Sequence, residues 1–307
     1  MSQSGCSQYV ATQEYASRTP FQKFDRRYLQ IPFDCGNHDQ VIVPGSNDFE
    51  DGEFVEPGFF DKVELSLCIR VLGLGEWKYE MRREAQEILP FLYLGPVMCV
   101  KNRDFLYKEH FTLLLSIRTT QTAQARLVSG ERAAYEIDAE SDSVDIVDNR
   151  DLVSVFPRAI RRINDHMSAP ATPGNFQSQQ PRKVLVFCES GNERSAVVVA
   201  AYLMAMFNLR AETALYVVQQ RRFCVNIEAH LWHILCCFDS ILKAKRDVEK
   251  ERRSESTDST SQGPLLASTS SKKRNLNDRD DDAITRDGMD IDDIESDRTP
   301  LAPFRDR

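Results

Sequence analysis

Residues 183–207 constrain the fold more than any other part of this chain. KVLVF at 183–187 is a continuous apolar run, as a strand covered on both faces requires. SAVVVAAYLMAMF at 195–207 is apolar nearly all round, so as a helix it lies inside a domain. A polar loop from Cys188 to Arg194 separates the two. A buried strand feeding a buried helix implies an α/β domain, with a central sheet and helices on both faces. The loop is also suited to an anion. Its backbone N–H groups turn inward, and the helix dipole favours negative charge at that end.

The side chains of the loop suggest which anion. Cys188 and Arg194 read Cys-x(5)-Arg, with Ser195 next. A thiolate can attack phosphorus in line and form a phosphocysteine. A guanidinium fork can hold two phosphate oxygens. The Ser195 hydroxyl can donate to the sulfur and help it leave. Glu189, Ser190, Gly191, Asn192, Glu193 and Arg194 would line the phosphate. The bland alternative is a buried structural cysteine and a surface arginine. The strand–loop–helix placement favours chemistry, because the mechanism requires that context. Inward-facing Glu189 or Glu193 carboxylates would oppose a dianion, whereas outward-facing ones would be screened. His230 and His233 lie three residues apart with no acid or cysteine constellation, so they read as core or surface residues. No metal and no cofactor is expected.

Around this unit, 76–250 has the pattern of one packed domain. Apolar strands are expected at 87–94, 113–117 and 133–137, with short helices at 104–110 and 121–128. A polar turn is expected at 139–145. An amphipathic helix spans 151–167, where Pro157 should mark the first turn or a kink. Two more helices follow at about 211–221 and 227–245. The stretch 168–181 reads as a surface linker. Residues 1–75 are polar and read as mostly disordered, with 63–74 docking as a strand or short helix. The chain from 251 to 307 is Ser/Thr-rich, then basic, then acidic, and also reads as disordered.

The charge distribution sharpens the reading. The net charge is −8, and the window 276–297 holds ten acids and two bases, which accounts for all of it. The acidity therefore describes a tail and not a pocket. With no basic excess, a nucleic-acid partner is not expected. No run of about 18 apolar residues suggests a membrane span. No secretory signal is visible, so the eight cysteines read as reduced thiols of the cytoplasm or nucleus. Lys272-Lys273-Arg274 is a weak nuclear-import signal, and a solvated charge run explains it equally well.

The run VLVFCESGNERSAVVVAAYLM resembles the phosphate loop and following helix of dual-specificity protein phosphatases. The block WKYEMRREAQEILPFLYLGP, the segment VDIVDN and the run QQRRFCVNIEAH resemble the STYX family, the serine/threonine/tyrosine-interacting proteins. These are phosphatase-fold proteins regarded largely as pseudophosphatases. The resemblance covers about residues 76–250 and implies the protein tyrosine phosphatase α/β fold, of dual-specificity type. It implies that Cys188 is the nucleophile position, Arg194 the phosphate-binding arginine and Ser195 the following hydroxyl. It also implies that Asp148 is the general acid and that Asn226 braces the loop. Phe187 stands where active enzymes carry His, Ile227 replaces the usual Pro, and the Asp148 loop is about two residues short. The expected function is binding of phosphoproteins or MAP kinases, or of F-box proteins, with weak or no turnover, by a monomer in cytoplasm and nucleus. The alternative is an active phosphatase working through phosphocysteine. A third reading is a redox-responsive thiol at Cys188.

Overall fold

The computed structural model describes residues 40–70, 77–170 and 181–258. Residues 71–76, 171–180 and the acidic tail, with its KKR run, lie outside them.

The central sheet has five strands in the order β3-β4-β7-β5-β6. These are β3 (Gln86–Leu89), β4 (Leu92–Pro96), β5 (Leu113–Thr119), β6 (Glu140–Ile146) and β7 (Val184–Cys188). β7 lies in the middle, parallel to β4 and β5, and β3 closes one edge antiparallel to β4. Period-two alternation sends the residues of β7 to opposite faces. Val184, Val186 and Cys188 join the core shared with α6 (Leu152–Ser168), α7 (Arg194–Met206), α8 (Ala211–Arg221) and α9 (Ala229–Asp258). Leu185 and Phe187 join the opposite core, built with α2 (Val97–Lys101), α3 (Arg103–Glu109) and α5 (Glu131–Ile137). The sheet thus carries helices on both faces, as the 183–207 pattern requires. All of α7 from Ser195 to Met206 is buried.

Several sequence expectations are corrected. The run 87–94 is a β-hairpin and not one strand: Pro90 cannot donate to a ladder, so the chain turns there. Residues 133–137 form helix α5, whose buried Ala133, Ala134 and Ile137 share one face. The expected turn at 139–145 is the edge strand β6. It is polar because one face meets solvent, while Val144 and Ile146 point into the core. The helix expected at 121–128 is only α4 (Thr120–Gln124), ended by Arg126 at φ 52°. Pro157 lies inside α6, beyond its first turn.

The disorder expected before residue 63 is corrected for 40–62, while the strand expected within 63–74 is present at 66–70. Strands β1 (Gln40–Pro44) and β2 (Ser66–Arg70) pair antiparallel, with α1 (Phe59–Lys62) between them. Phe49, Phe54 and Phe59 are each 1% exposed in the α7-side core. Hydrogen bonds to its main chain tie the segment down: Ser46 N–H donates to Met206 O at 3.0 Å, and the Asn164 side-chain Nδ2 donates to Phe54 O at 2.9 Å. Isolated aromatics among Asp, Glu and Gly carry no periodicity, so composition misread them. Disorder from 251 is likewise corrected as far as Asp258, because α9 runs on to that residue. No helix among the described residues is long and apolar enough to cross a membrane.

One buried ionisable group gives this fold a pH signature. His166 on α6 is 2% exposed, with Nε2 2.8 Å from Thr112 Oγ1 and Nδ1 3.2 Å from Glu140. Burial pushes its imidazole down to about 4, helped by Arg182 and Arg162 and opposed by Glu140. A lowered folded-state value means that the unfolded chain binds the proton first. The stabilisation is therefore complete above the unfolded value of about 6.5 and is lost as pH falls towards about 4. We expect urea unfolding midpoints to fall between about pH 7 and 5.5, and His166→Gln to flatten that slope.

Candidate phosphate-binding site

The 188–194 loop joins the C-terminal end of β7 to the N-terminus of α7. Cys188 is 1% exposed, and its Sγ accepts from Gly191 N–H at 3.2 Å and Ser195 Oγ–H at 3.1 Å. The loop folds over its own first residue. Gly191 makes this possible twice. Its φ of 72° is left-handed, and an added Cβ would lie 2.4 Å from the Gly95 carbonyl carbon. Gly95 is equally confined, since a Cβ there would lie 2.9 Å from both Ala85 Cβ and Cys99 Sγ. The loop thus packs directly on the β4 backbone beside Pro96, the residue that pairs with Cys188.

Ser195 is brought onto Cys188 as the sequence implied. The Arg194 side chain is 15% exposed, and its Nε is buried without a hydrogen-bond partner. The question of the loop acids has a definite answer for Glu189: its Oε2 lies 3.5 Å from Arg194 Nη2. That carboxylate is half exposed, so solvent screens the pair. It nevertheless shares the guanidinium that a phosphate would use. Glu193 is partly exposed and precedes α7 as its N-cap residue. Ser190 Oγ accepts from Asn192 N–H at 3.2 Å.

Asp148 and Asn226 lie outside the loop. Asp148 is exposed, and its Oδ1 accepts from Arg150 N–H at 3.0 Å, capping a short 3-10 turn at Asn149–Asp151. Asp151 Oδ2 reciprocates by accepting from Asp148 N–H at 3.0 Å. Asn149 Nδ2 donates to His230 Nε2 at 2.9 Å and fastens this turn to the start of α9. Asn226 is exposed and makes no hydrogen bond to the loop, which corrects its expected bracing role. With Ile227 buried where a Pro was usual, the chain directs Asn226 outward. Phe187 is fully buried on the opposite face of the sheet from Cys188, so it offers the thiol no polar group.

The brace is a residue that motif reasoning overlooked. Arg222, just past α8, is 0% exposed. Its Nε donates to Gly191 O at 3.0 Å and to Asn192 Oδ1 at 3.2 Å. Nη2 donates to Ser190 O at 3.2 Å and Arg82 O at 2.8 Å, and Nη1 to Glu84 O at 2.8 Å and to Gln86 Oε1. Cys224 Sγ also donates to Asn192 Oδ1, at 3.2 Å. A signal was present: Arg222 continues the buried stripe Ala211, Ala214/Leu215, Val218, where an arginine is out of place. Next to it, Phe223 packs on Trp77 with ring centroids 5.7 Å apart, and Arg82 lies 4.2 Å over the Tyr79 ring.

The dual specificity phosphatase catalytic domain matches residues 92–241. A human serine/threonine/tyrosine-interacting protein is 33% identical over 178 residues, covering 57% of this chain and 73% of that protein. The chain belongs to the dual-specificity phosphatase family. Within that family it is related to the STYX pseudophosphatases, since the A form from Xenopus laevis is also 32% identical over the same shares of both chains. Human dual specificity protein phosphatase 5 is 33% identical over 142 residues, covering 46% of this chain and 32% of that one. The solved human tyrosine phosphatase-like serine/threonine/tyrosine-interacting protein is 31% identical, covers 52% of this chain and 97% of its own, and has a TM-score of 0.43. The β1–β2 segment lies before the family match, so the α7-side core is completed by residues that precede it.

For this family member the loop geometry gives a direct expectation. Gly191→Ala forces a strained φ and drives a methyl into the Gly95 carbonyl. We expect at least a tenfold loss of inorganic phosphate binding by calorimetry, at a backbone strain cost of about 1–3 kcal/mol.

Proposed function

We propose that this protein binds phosphorylated proteins through the 188–194 loop, with weak or no turnover, in the manner of its STYX relatives. The observation that carries this reading is Glu189 beside Arg194, at 3.5 Å. A phosphate must share the guanidinium with a carboxylate or displace it, which weakens the grip most where charge develops. Asp148 points the same way: its carboxylate caps its own exposed turn, so protonation of a leaving group has no preorganised donor. Binding needs neither feature. The inward N–H groups, the α7 dipole and Arg194 suffice to hold an anion.

The alternative, slow cysteine-dependent hydrolysis, has one observation in its favour. Gly191 N–H and Ser195 Oγ–H both donate to Cys188 Sγ, and such bonds stabilise a thiolate. In that reaction sulfur attacks phosphorus while the ester P–O bond breaks, and the leaving oxygen takes a proton. Water then cleaves the S–P bond, releasing inorganic phosphate and restoring the thiol. The redox reading has less support, because it needs an accessible Cys188 and that thiol is 1% exposed. Burial also pushes the Cys99 thiol up to about 12 and raises that of Cys224, so neither offers a ready thiolate. By resemblance, the proposed partners are MAP kinases and F-box subunits, met by a monomer in cytoplasm and nucleus.

A paired assay separates the readings. We expect phosphotyrosine-peptide binding to survive Cys188→Ser and to fall at least tenfold in Arg194→Met. Hydrolysis of a small aryl phosphate by the reduced protein should stay close to that of Cys188→Ser across about pH 5–8. Turnover well above that control, falling in Arg194→Lys, would instead establish the enzyme. Glu189→Gln should tighten phosphate binding by about two- to fivefold, the scale of a screened ion pair.

A further inference from the structure

Arg222 carries a buried charge with no counter-ion. Its acceptors are all neutral: four backbone carbonyls and the side-chain amides of Gln86 and Asn192. Among the described residues no carboxylate forms an ion pair with it. An isolated charge is expensive to bury, and burial lowers the basicity of this guanidinium. The groups close enough to oppose that fall are the sulfurs of Cys224, Cys99 and Cys188. Cys99 and Cys224 are held as neutral thiols by burial. Of the three sulfurs, only that of Cys188 belongs to the 188–194 loop, whose carbonyls Arg222 holds.

The hydrogen bonds have a second consequence. In a trans peptide the C=O and the N–H point in opposite directions. Arg222 holds Ser190 O and Gly191 O on its own side of the loop. The same two planes therefore turn Gly191 N–H and Asn192 N–H away from Arg222, and the second of these donates to Ser190 Oγ at 3.2 Å. The first of these reaches Cys188 Sγ at 3.2 Å.

We propose that Arg222 is a positioning residue of the anion site: behind the loop it orients the Gly191 amide towards Cys188 Sγ and supplies a fixed positive charge that favours thiolate at Cys188 and phosphate in front. It does so where Phe187, buried on the opposite face, contributes no polar group. Other charged or titratable groups around it are Arg82 and Glu84 before β3, Cys99 on α2, Cys224, and Glu189, Glu193 and Arg194 of the loop. The inference rests on the loop being an anion site.

The test uses the full reduced chain, with inorganic phosphate as probe. The Cys188 ionisation is followed as thiolate ultraviolet absorbance against pH, taken as the difference from Cys188→Ser. Arg222→Met should move that midpoint up by about one unit or more and weaken phosphate binding at least tenfold. Arg222→Lys keeps the charge and loses the fork, so it should hold the midpoint yet still bind phosphate several-fold more weakly. A purely structural arginine would lower thermal stability and leave the midpoint in place, and that result in a folded Arg222→Met overturns the proposal. If the methionine variant does not fold, wild-type phosphate affinity in Arg222→Lys overturns it. Equal phosphate binding by wild type and Arg194→Met would instead defeat the anion-site reading, and the absorbance midpoint would still decide the role of Arg222.

Discussion

A peptide plane cannot turn its N–H and its C=O to the same side, and the site is organised around that restriction. Every amide that faces an anion leaves a carbonyl facing the protein, and a buried carbonyl needs a donor. In the 188–194 loop the donor for two of them is a single guanidinium, Arg222. The demand propagates outward. The chain after α8 must deliver Arg222 beneath the loop, and the turn before β3 must lend Arg82 O and Glu84 O to occupy its other nitrogens. Gly95 and Gly191 must lack side chains so that the loop can lie against β4. The hairpin of β3 and β4 therefore serves the site as well as the sheet edge.

The fold was most legible where burial is symmetric. β7 and α7 are apolar on all sides because they are covered on all sides, and no other arrangement tolerates such runs. Legibility fell at the margins. The edge strand β6 alternates acids and serines with only Val144 and Ile146 inward, which reads as a turn until β5 is seen to pair with it. The 40–70 segment is further from the reach of pattern. Its anchors, Phe49, Phe54 and Phe59, are spaced by the contours of α6, α7 and α9 and not by any period of their own.

The site divides along the same line. Cys188, Arg194 and Ser195 are legible because one continuous turn fixes their relation, so spacing along the chain is spacing in the loop. Asp148, Asn226 and Arg222 reach the site, or miss it, through tertiary placement. Asp148 is caught by the cap of its own turn, and Asn226 is turned outward beside a buried Ile227. Arg221 and Arg222 are neighbours in the chain, yet Arg222 is fully buried and Arg221 only partly so. Motif carry-over transfers the residue type, but the local turn decides where its side chain points.

The charges that surround the loop also bear on binding against turnover. The net −8 of the chain belongs to the tail window, so it does not describe this pocket. Near the loop stand two cations of different kinds. Arg194 can touch a phosphate but is shared with Glu189, whereas Arg222 cannot touch it and has no acid partner. Holding a phosphate alone asks these cations and the loop amides to balance about two negative charges. Attack by Cys188 asks them to balance a thiolate as well, in the same confined volume, before any bond has formed. Bound phosphate therefore raises the cost of ionising the thiol, and the ionised thiol weakens phosphate. Glu189 tightens that competition by holding part of Arg194, and an Asp148 carboxylate engaged in its own cap does not relieve it. That balance is the physical ground on which we propose binding ahead of chemistry.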